Sequence, residues 1–280
     1  MHPTINLEEI NACILVPTYN NDKTLKRVVE EILSLVPANR VIVVNDGSTD
    51  QTAEILKNFK EVTVLHNESN QGKGFSLRKG FRFAHEKGFQ YAITIDSDGQ
   101  HYPQDIQLLV EQVRLNDGNV IMGSRNMEQA GVPGKSSFGN KFSNFWFKVE
   151  TWITLPDTQT GFRAYPLDPI SKMRLFTTKF ELEIEVIVRL AWRGVGFTPV
   201  PIRVKYDPEE RVSHFRPARD FFRISVLNTV LFILAIVWYY PKKFFSIKTW
   251  DAIKKEAVKP EETNVRKASS LAFGVFMGIV

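Results

Sequence analysis

The sequence predicts an α/β fold, in which helices cover both faces of a mostly parallel β-sheet. Short apolar runs alternate with amphipathic segments over the first 125 residues, which is the pattern of repeated strand–helix units. The runs are apolar almost throughout, as expected for parallel strands that are covered on both faces. The length of 280 residues and the hydrophobic fraction of 43% suffice for one large domain or two small ones.

Strands and helices follow from the spacing of the apolar residues. In the first predicted helix, Leu25, Val28 and Ile32 recur at helical spacing. Gly88 suits the position after the third helix, and Pro103 suits the first turn of the fourth. The predicted strands are 12–17, 40–46, 62–66, 91–96 and 119–125, and the predicted helices are 24–35, 52–59, 74–88 and 104–113.

Polar residues collect at the carboxyl end of each predicted strand. Taken alone, each cluster has a plain explanation, since 46–50 is typical of a turn that leads into a helix and Gly–Lys loops are common. In a parallel sheet, however, these ends lie along one edge, where ligands bind. The residues are Pro17, Thr18, Tyr19 and Asn20 at the end of the first strand and just beyond it, Asp46 and Asp50 at the end of the second, Gly72, Lys73 and Gly74 after the third, Asp96 and Asp98 at the end of the fourth, and Arg125 at the end of the fifth.

Two carboxylates, Asp96 and Asp98, stand two positions apart at the end of the fourth strand. Side chains at this spacing converge where the strand turns, and without a cation they would repel each other until one took up a proton. Mg²⁺ or Mn²⁺ removes this conflict, because both ions prefer oxygen ligands and leave coordination positions for phosphates. Two aspartates at this spacing are a weak signal by themselves. Together with the phosphate-binding type of loop on the same edge of the sheet, they predict a metal site that neutralises a diphosphate leaving group.

The net charge of +5 predicts an anionic partner, such as a nucleotide, a phospholipid or a nucleic acid. Nucleic-acid binding is disfavoured, because the basic residues are dispersed and the sequence lacks a basic groove motif with stacking aromatic residues. The single cysteine, Cys13, excludes an intrachain disulfide framework and fits a reducing compartment. The first residues lack the basic and apolar regions of a secretory signal.

The C-terminal part of the sequence contains a long apolar run, 224–240, which ends in an aromatic cluster. Its length is near the lower limit of a membrane span and the aromatic cluster suits a membrane interface, but a buried helix is an open alternative. A second apolar run continues to the last residue and predicts a truncated segment. The expected organisation is an α/β domain over 1–220, an apolar membrane-associated helix over 221–243, and a linker with the start of the second apolar run over 244–280.

The segment that follows the fifth strand mixes aromatic and basic residues. Phe138, Phe142, Phe145 and Val149 fall on one face of a predicted helix. Such a helix can lie in a membrane interface. A helix that packs on the sheet explains the pattern equally well, so both interpretations stay open at this point.

The motifs at the strand ends occur together in one known family. In order and spacing, they make residues 10–220 resemble a family-2 glycosyltransferase, in particular the polyprenyl-phosphate sugar transferase branch, which is dolichyl-phosphate mannose synthase-like. The set of motifs is highly specific. The matching motifs are VPTYN (16–20), VVNDGSTD (43–50), NQGKG (70–74), IDSDGQHYPQD (95–105), GSR (123–125), DTQTGFRAY (157–165) and ELEIEVIVRLAWRG (181–194).

This resemblance implies a nucleotide-sugar glycosyltransferase A-type fold, which is a Rossmann-like, mostly parallel sheet, followed by C-terminal interfacial or transmembrane helices. It implies an inverting enzyme that moves a sugar from a GDP- or UDP-linked donor to a polyprenyl phosphate of the undecaprenyl or dolichyl type, with Mg²⁺ or Mn²⁺ as cofactor. The protein would be membrane-associated, with its catalytic domain on the cytoplasmic face of the inner (plasma) membrane.

The resemblance also implies roles for individual residues. The family often has a glutamate directly after PTYN, whereas this chain has Asn21 and Asp22, which leaves a nucleotide contact by either residue open. Donor binding is expected at Pro17, Tyr19, Asn20, Asp46, Lys73, Asp96 and Gln100, metal binding at Asp96, Asp98 and Gln100, binding of the acceptor phosphate at Arg125, Arg163, Arg211, Ser213 and Arg216, and catalysis at Asp98, Asp157 and Arg125.

The expected nucleophile, a phosphate oxygen, is already anionic near neutral pH, so that positioning and charge neutralisation matter more than a strong base. Asp157 is the best candidate for a carboxylate near the reacting centre, and its alternatives are a helix cap or a salt bridge to Arg163. Glu183 and Glu185 point to different faces of a predicted helix, and one of them is expected to orient Arg163 or Arg125.

Two other classes of function stay open. An enzyme with a saccharide or protein acceptor would need a base, which would make Asp157 indispensable, and its apolar tail would be only an anchor. A non-catalytic nucleotide- or membrane-binding scaffold is the second class, and the presence of Asp96, Asp98 and Asp157 argues against it.

Overall fold

The computed structural model describes residues 5–126, 134–205 and 216–244. The strands are β1 (Ala12–Thr18), β2 (Val41–Asn45), β3 (Thr63–His66), β4 (Tyr91–Thr94), β5 (Val120–Arg125), β6 (Arg163–Pro166) and β7 (Phe197–Ile202). Within the described residues they form one seven-stranded sheet in the order β3-β2-β1-β4-β6-β5-β7. The five predicted strands are all present, and the predicted α/β fold with a mostly parallel sheet is confirmed.

Strand β6, which was not predicted, decides which loops meet. It lies between β4 and β5 and runs antiparallel to both, whereas the other paired strands are parallel. Because β6 runs in the opposite direction, the segment that enters it lies beside the carboxyl ends of β4 and β5. The residues 157–161 therefore come close to the loop after β4 and to the end of β5.

Helices cover both faces of this sheet, as predicted. They are α1 (Leu25–Leu33), α2 (Thr52–Leu56), α3 (Lys73–Glu86), α4 (Ile106–Leu115), α5 (Gly134–Thr151), α6 (Leu167–Ser171), α7 (Leu182–Trp192), α8 (Pro217–Leu234) and α9 (Tyr240–Phe244), with 3₁₀ turns at Ala38–Arg40 and Pro103–Asp105 and a π-helical turn at Ala235–Tyr239. Val28 of α1 and Leu109 of α4 pack on one face, and Leu77 of α3 and Ile187 of α7 pack on the other. The core therefore has two layers, one on each side of the strands.

Helix α5 buries polar residues and exposes aromatic ones. Phe138 and Phe145 have 65% and 59% of their surface exposed, while Asn140, Ser143 and Glu150 are buried. The helix packs against α7 and α8. One face therefore packs on the domain, which was one of the two predicted arrangements, and the outer face keeps the apolar surface that suits a membrane interface.

A continuous helix, Ala218–Phe244, ends the described part of the chain. It has 27 residues and a mean hydropathy of 2.1, and it is the only helix among the described residues that is long and apolar enough to cross a membrane. Only 28% of its most apolar window is buried, so that side chains such as Phe222 and Val237 face outward. The alternative of a buried core helix is therefore wrong for this segment, which begins close to the predicted start.

Aromatic residues fix the C-terminal end of this helix to the domain. The ring of Tyr240 stacks on Trp152 with centroids 4.7 Å apart, and its hydroxyl donates to the carbonyl oxygen of Val149. Tyr239 stacks on Trp192 at 5.6 Å. Aromatic rings with a polar edge are typical of a membrane–water boundary.

Candidate active site

A cleft of about 620 Å³ opens at the carboxyl ends of β1, β2 and β4 and reaches the start of α8. Several residues that the sequence predicted as a site lie together here. They are Pro17, Tyr19, Asp46, Lys73, Asp96, Asp98 and Arg216. The remaining lining residues are Thr18, Asn21, Asn70, Gly72, Ser76, Ser97, Lys179, Phe180, Arg219, Asp220 and Arg223.

Other predicted site residues do not line the cleft or are not described. Asn20, Gln100, Arg125, Asp157 and Arg163 are described by the structure but do not line the cleft. Arg211 and Ser213, which were predicted to bind the acceptor phosphate, lie outside the described residues.

Asp46 shapes the loop that leads into α3. It is buried, and its carboxylate accepts hydrogen bonds from the backbone nitrogens of Gln71 (3.0 Å) and Gly72 (2.7 Å). Gly72 has a φ of +104°, and a Cβ at this position would come within 2.6 Å of the carbonyl oxygen of Thr178. The glycine therefore permits both the backbone angle and the close packing that place Lys73 at the first position of α3.

Lys73 lies between two carboxylates. Its Nζ is 2.7 Å from Oδ1 of Asp96 and 3.0 Å from Oε2 of Glu183. Burial lowers the pKa of Lys73, but the charges of the two carboxylates outweigh burial and raise this pKa above its ordinary value. Burial alone would raise the pKa of Asp96, but the charge of Lys73 more than offsets it and holds that pKa below its usual range. Lys73 and Asp96 are therefore a charged pair near neutral pH.

Gly161, which precedes β6, forms one wall of this charge cluster. A Cβ at this position would lie 2.4 Å from Oδ2 of Asp96 and 3.0 Å from Nζ of Lys73. Thr94 at the end of β4 donates to the carbonyl oxygen of Gly161 at 2.7 Å and holds the two segments together. The glycine of the TGFR motif is therefore needed because backbone lies directly against the carboxylate.

The loop that follows Asp96 offers oxygen ligands for a cation. Oδ1 of Asp98 accepts a hydrogen bond of 3.0 Å from the backbone nitrogen of Gln100, whose side-chain amide nitrogen is buried without a hydrogen-bond partner. Among the described residues, no three His, Cys, Asp or Glu side chains lie close enough together to hold a metal ion. The carboxylates of Asp96 and Asp98 are the type of oxygen ligand that Mg²⁺ and Mn²⁺ prefer, and these ions usually keep positions for water and phosphates. The Lys73 ammonium beside Asp96 indicates that this position attracts a cation.

His101 extends this loop but adds no charge to it. Burial lowers the pKa of His101 to about 4, so that its imidazole is neutral at neutral pH. Its ring packs 5.3 Å from the ring of Phe162.

Arg125 at the end of β5 and Asp157 before β6 form a buried ion pair. Nε of Arg125 is 2.6 Å from Oδ2 of Asp157, whose side chain is 0% exposed. The carboxylate also accepts hydrogen bonds from the backbone nitrogens of Gln159 (3.0 Å) and Thr160 (3.2 Å). The partner of Asp157 is thus Arg125, and the salt bridge to Arg163 considered from the sequence is wrong.

Arg163 is fully buried and ties the entry of β6 to α7. Its guanidinium donates to the carbonyl oxygens of Thr158, Thr160 and Glu183 and to the hydroxyl of Tyr165. Glu183 thus contacts Arg163 through its backbone oxygen and not through its carboxylate. This placement favours a structural role for Arg163 over the predicted contact with an acceptor phosphate.

Glu183 and Glu185 point in different directions, as predicted. While the carboxylate of Glu183 faces Lys73, that of Glu185 accepts hydrogen bonds from the backbone nitrogens of Phe176 and Thr177. Glu185 therefore fixes the segment before α7, and Glu183 is the member of the pair that belongs to the charge cluster.

The asparagines after β1 hold neighbouring loops in place. Asn20 has a φ of +42°, and its side-chain oxygen accepts a hydrogen bond of 2.7 Å from the backbone nitrogen of Thr49. Asn21 is buried and donates to the carbonyl oxygen of Ser97 at 2.5 Å. Because Ser97 lies between the two acidic residues of the loop after β4, Asn21 supports the geometry of that loop.

A groove of about 1040 Å³ lies between α7 and α8 and is called the α7–α8 groove below. Its wall on α8 is mostly apolar, whereas its wall on α7 contributes charged side chains. The lining residues are Phe176, Thr177, Glu181, Glu185, Arg189, Trp192, Arg193, Phe222, Arg223, Val226, Leu227, Val230, Leu231, Leu234, Trp238 and Lys242. Arg223 lines both this groove and the cleft at the strand ends.

Comparison with known proteins identifies the same family that the sequence motifs resemble. The family model described as glycosyl transferase family 2 matches residues 13–173. Undecaprenyl-phosphate mannosyltransferase of Micrococcus luteus is 27% identical over 234 residues, which cover 80% of this chain and 94% of that protein. UDP-N-acetylglucosamine–dolichyl-phosphate N-acetylglucosaminyltransferase of Methanococcus voltae is 27% identical over 214 residues, which cover 69% of this chain and 85% of that protein.

A solved structure shares the fold. It is glucosyl-3-phosphoglycerate synthase from Mycobacterium tuberculosis, in complex with Mn²⁺, UDP and phosphoglyceric acid. The TM-score is 0.60 at 16% sequence identity, and the match covers 84% of each chain. The similarity supports the predicted A-type fold.

Proposed function

The chain belongs to glycosyltransferase family 2, and on this basis we propose that it transfers a sugar from a nucleotide-sugar donor to a polyprenyl phosphate at a membrane surface. The relatives from Micrococcus luteus and Methanococcus voltae are named for undecaprenyl-phosphate and dolichyl-phosphate acceptors. The proposal assigns an acceptor of this same class to the present chain.

The observation that carries the proposal is the position of Arg223. Because it lines both the cleft and the α7–α8 groove, the two depressions are adjacent and share a cationic side chain. A polyprenyl phosphate has an anionic head and an apolar tail, which suit a cationic junction between a polar cleft and an apolar groove. A saccharide acceptor has no apolar part that would occupy the groove.

We assign the cleft to the nucleotide-sugar donor, which is GDP- or UDP-linked. Pro17 and Tyr19 line the cleft at the end of β1, and Asp46 lines it after β2. These residues are proposed to hold the base and ribose. Asp96 and Asp98, with Gln100, would hold Mg²⁺ or Mn²⁺, which when bound neutralises the charge that develops on the diphosphate leaving group. The Mycobacterium tuberculosis enzyme of the same fold binds Mn²⁺ together with UDP.

In the proposed reaction, an anionic oxygen of the acceptor phosphate attacks the anomeric carbon. The bond between that carbon and the diphosphate breaks, and the configuration at the carbon inverts. The nucleophile has no proton to lose, which agrees with the engagement of the Asp157 carboxylate by Arg125 and backbone nitrogens. Arg125 and Arg216 are proposed to supply positive charge to the acceptor phosphate, and Arg211 and Ser213 remain part of the same proposal.

We place the catalytic domain against the cytoplasmic face of the plasma membrane. The apolar helix Ala218–Phe244 begins at the cleft and would bring it to the membrane surface. The exposed Phe138 and Phe145 provide a second apolar contact. Cys13 is buried and free, in keeping with a reducing compartment.

The experiment is a transfer assay with the full chain in detergent, a panel of GDP- and UDP-sugars, undecaprenyl phosphate and either Mg²⁺ or Mn²⁺. We expect lipid-linked sugar as the product. Arg223→Ala should raise the apparent KM for the lipid by roughly ten- to a hundredfold, the usual effect of removing one charged hydrogen-bonding group. Arg82→Ala, at an exposed position on α3, is the matched control and should change neither KM nor kcat.

Other outcomes would contradict the proposal. Product with a saccharide acceptor but not with undecaprenyl phosphate would establish the alternative acceptor class. Binding of nucleotide without transfer or donor hydrolysis would instead support a non-catalytic scaffold.

A further inference from the structure

We propose that Lys73 is a displaceable cation, which holds Asp96 while the metal site is empty and moves onto Glu183 when a divalent cation binds. Glu183 is then a positioning residue for metal binding, although it contributes no ligand. The inference rests on the metal site of the proposed function. It adds Glu183 as the residue that allows Lys73 to move away from Asp96.

The geometry leaves little room for a metal ion beside an unmoved Lys73. Oδ1 of Asp96 is 2.7 Å from the ammonium group. Oδ2 faces Gly161, and the position that a Cβ would take there is 2.4 Å from Oδ2 and 3.0 Å from Nζ of Lys73. Lys73 is therefore close to the space beside either oxygen of Asp96. A divalent cation on Oδ1 would lie next to the positive charge of Lys73, and the two cations would repel each other.

Glu183 is placed to accept the displaced ammonium group. Its Oε2 is already 3.0 Å from Nζ of Lys73, so a small rotation of the flexible lysine side chain exchanges one carboxylate for the other. Glu183 itself is held firmly, because its backbone oxygen accepts a hydrogen bond of 3.0 Å from the buried Arg163. Its position in the first turn of α7 also stabilises its negative charge.

Charge balance explains why two carboxylates surround one lysine. Lys73 neutralises only one of Asp96 and Glu183, so that the three side chains keep a net negative charge. The side chain of Lys73 is only 18% exposed, so an ammonium group without a carboxylate partner would be costly there. Glu183 supplies that partner when Lys73 leaves Asp96. Without Glu183, Lys73 would have Asp96 alone, and metal binding would have to leave a buried lysine unpaired.

The test is a double-mutant cycle read by Mn²⁺ binding alone. Free Mn²⁺ is titrated by electron paramagnetic resonance against the full chain in detergent, without nucleotide, sugar or lipid. We expect Lys73→Met to tighten Mn²⁺ binding and Glu183→Gln to weaken it, each by roughly three- to thirtyfold, a range typical of directly interacting charges. In the Lys73→Met background, Glu183→Gln should have little further effect, because Glu183 acts through Lys73.

A matched control is Lys57→Met, which removes a lysine from an exposed pair with Glu54 on α2 and should leave Mn²⁺ affinity unchanged. Circular dichroism of each variant verifies that it is folded. Equal weakening by Glu183→Gln in both backgrounds would mean that Glu183 acts only by its distant charge, and would overturn the proposal. Unchanged affinity in Lys73→Met would also overturn it. Absence of Mn²⁺ binding in the wild type and all variants would contradict the metal site of the proposed function itself, and the present inference with it.

Discussion

The guanidinium of Arg125 donates two hydrogen bonds to the carboxylate of Asp157, from Nε to Oδ2 at 2.6 Å and from Nη2 to Oδ1 at 2.9 Å. The backbone nitrogen of Arg125 donates to the same carboxylate at 3.2 Å. Paired hydrogen bonds of this kind fix both the distance and the plane of the guanidinium. We therefore propose that Asp157 fixes the orientation of Arg125, which is a different role from that of a base at the reacting centre.

The first prediction concerns this pair. Asp157→Asn keeps the size of the side chain but removes the charge that Arg125 faces, so we expect the free energy of unfolding to fall by about 3 kcal/mol. Transfer should also slow, because Arg125 loses its fixed orientation. Arg125→Ala should slow transfer about as much as Asp157→Asn does. The double variant should be no slower than either single variant, because each substitution disrupts the same Arg125–Asp157 pair.

Denaturant unfolding and steady-state kinetics measure these effects. A matched control is Asp168→Asn, in an exposed pair with Lys172 on α6, which should change neither stability nor rate by much. If Asp157→Asn remained as stable as the wild type but lost transfer only to acceptors with a hydroxyl nucleophile, Asp157 would be a general base.

Much of the site follows from local sequence patterns. Asp46 and Asp96 end predicted strands, Lys73 and Asp98 come after predicted strands, and all four line one cleft. This outcome could be predicted because parallel strands bring their carboxyl ends to the same edge of a sheet. Strand β6 could not be predicted in this way. Its four residues are too few to show a clear hydrophobic periodicity, and the strands that it pairs with are far away in the sequence.

The partners of the charged residues could not be predicted. Lys73 meets Glu183, and Arg125 meets Asp157, because β6 inserts between β4 and β5 and α7 packs across the entry to β6. The sequence placed these residues in separate motifs without indicating which charges pair. Helix α5 illustrates the same limit, since Glu150 is polar and yet lies on its buried face.

The second prediction concerns the metal. Asp98→Asn should lower the rate of transfer by roughly a hundredfold or more, because the charge on the leaving diphosphate would lose its stabilisation. Asp96→Asn should have a comparable effect, while the protein stays folded because Lys73 keeps Glu183 as a partner. Wild-type activity should disappear in EDTA and return with Mg²⁺ or Mn²⁺. Full activity in the presence of the chelator would contradict the metal role.

The third prediction concerns the outer face of α5. We expect an environment-sensitive fluorophore at Phe145→Cys to report an apolar surrounding when the protein is bound to vesicles, because the exposed aromatic face would enter the membrane interface. The same fluorophore at Leu115→Cys, which is 76% exposed on α4, is the control and should report water. Cys13 is buried and should not react with the label. Equal, water-like emission at both positions would show that α5 does not touch the membrane.

The fourth prediction concerns the dependence of stability on pH. Glu150 is 0% exposed, and neither of its carboxylate oxygens has a hydrogen-bond partner among the described residues. Burial raises its pKa from an ordinary 4.5 to about 9. The folded protein therefore holds this proton up to about pH 9, whereas the unfolded chain releases it above about pH 4.5.

The sign of the effect follows from this difference. Between these two pH values the unfolded state is favoured increasingly as pH rises, so the contribution of Glu150 to the free energy of unfolding falls with pH and levels off above about pH 9. Glu150→Gln cannot ionise and should remove this slope. At pH 7 the glutamine variant should be more stable than the wild type by up to about 3 kcal/mol.

Thermal unfolding in detergent between pH 5 and 9 measures this slope for the wild type and for Glu150→Gln. Glu111→Gln, at an exposed position on α4, is the matched control and should keep the slope of the wild type. If Glu150→Gln also kept that slope, other groups would cause it, and Glu150 would be ionised in the folded protein. Since Glu150 lies on the face of α5 that packs against the domain, loss of its proton at high pH should loosen α5 before the sheet, which hydrogen exchange of the two elements would detect.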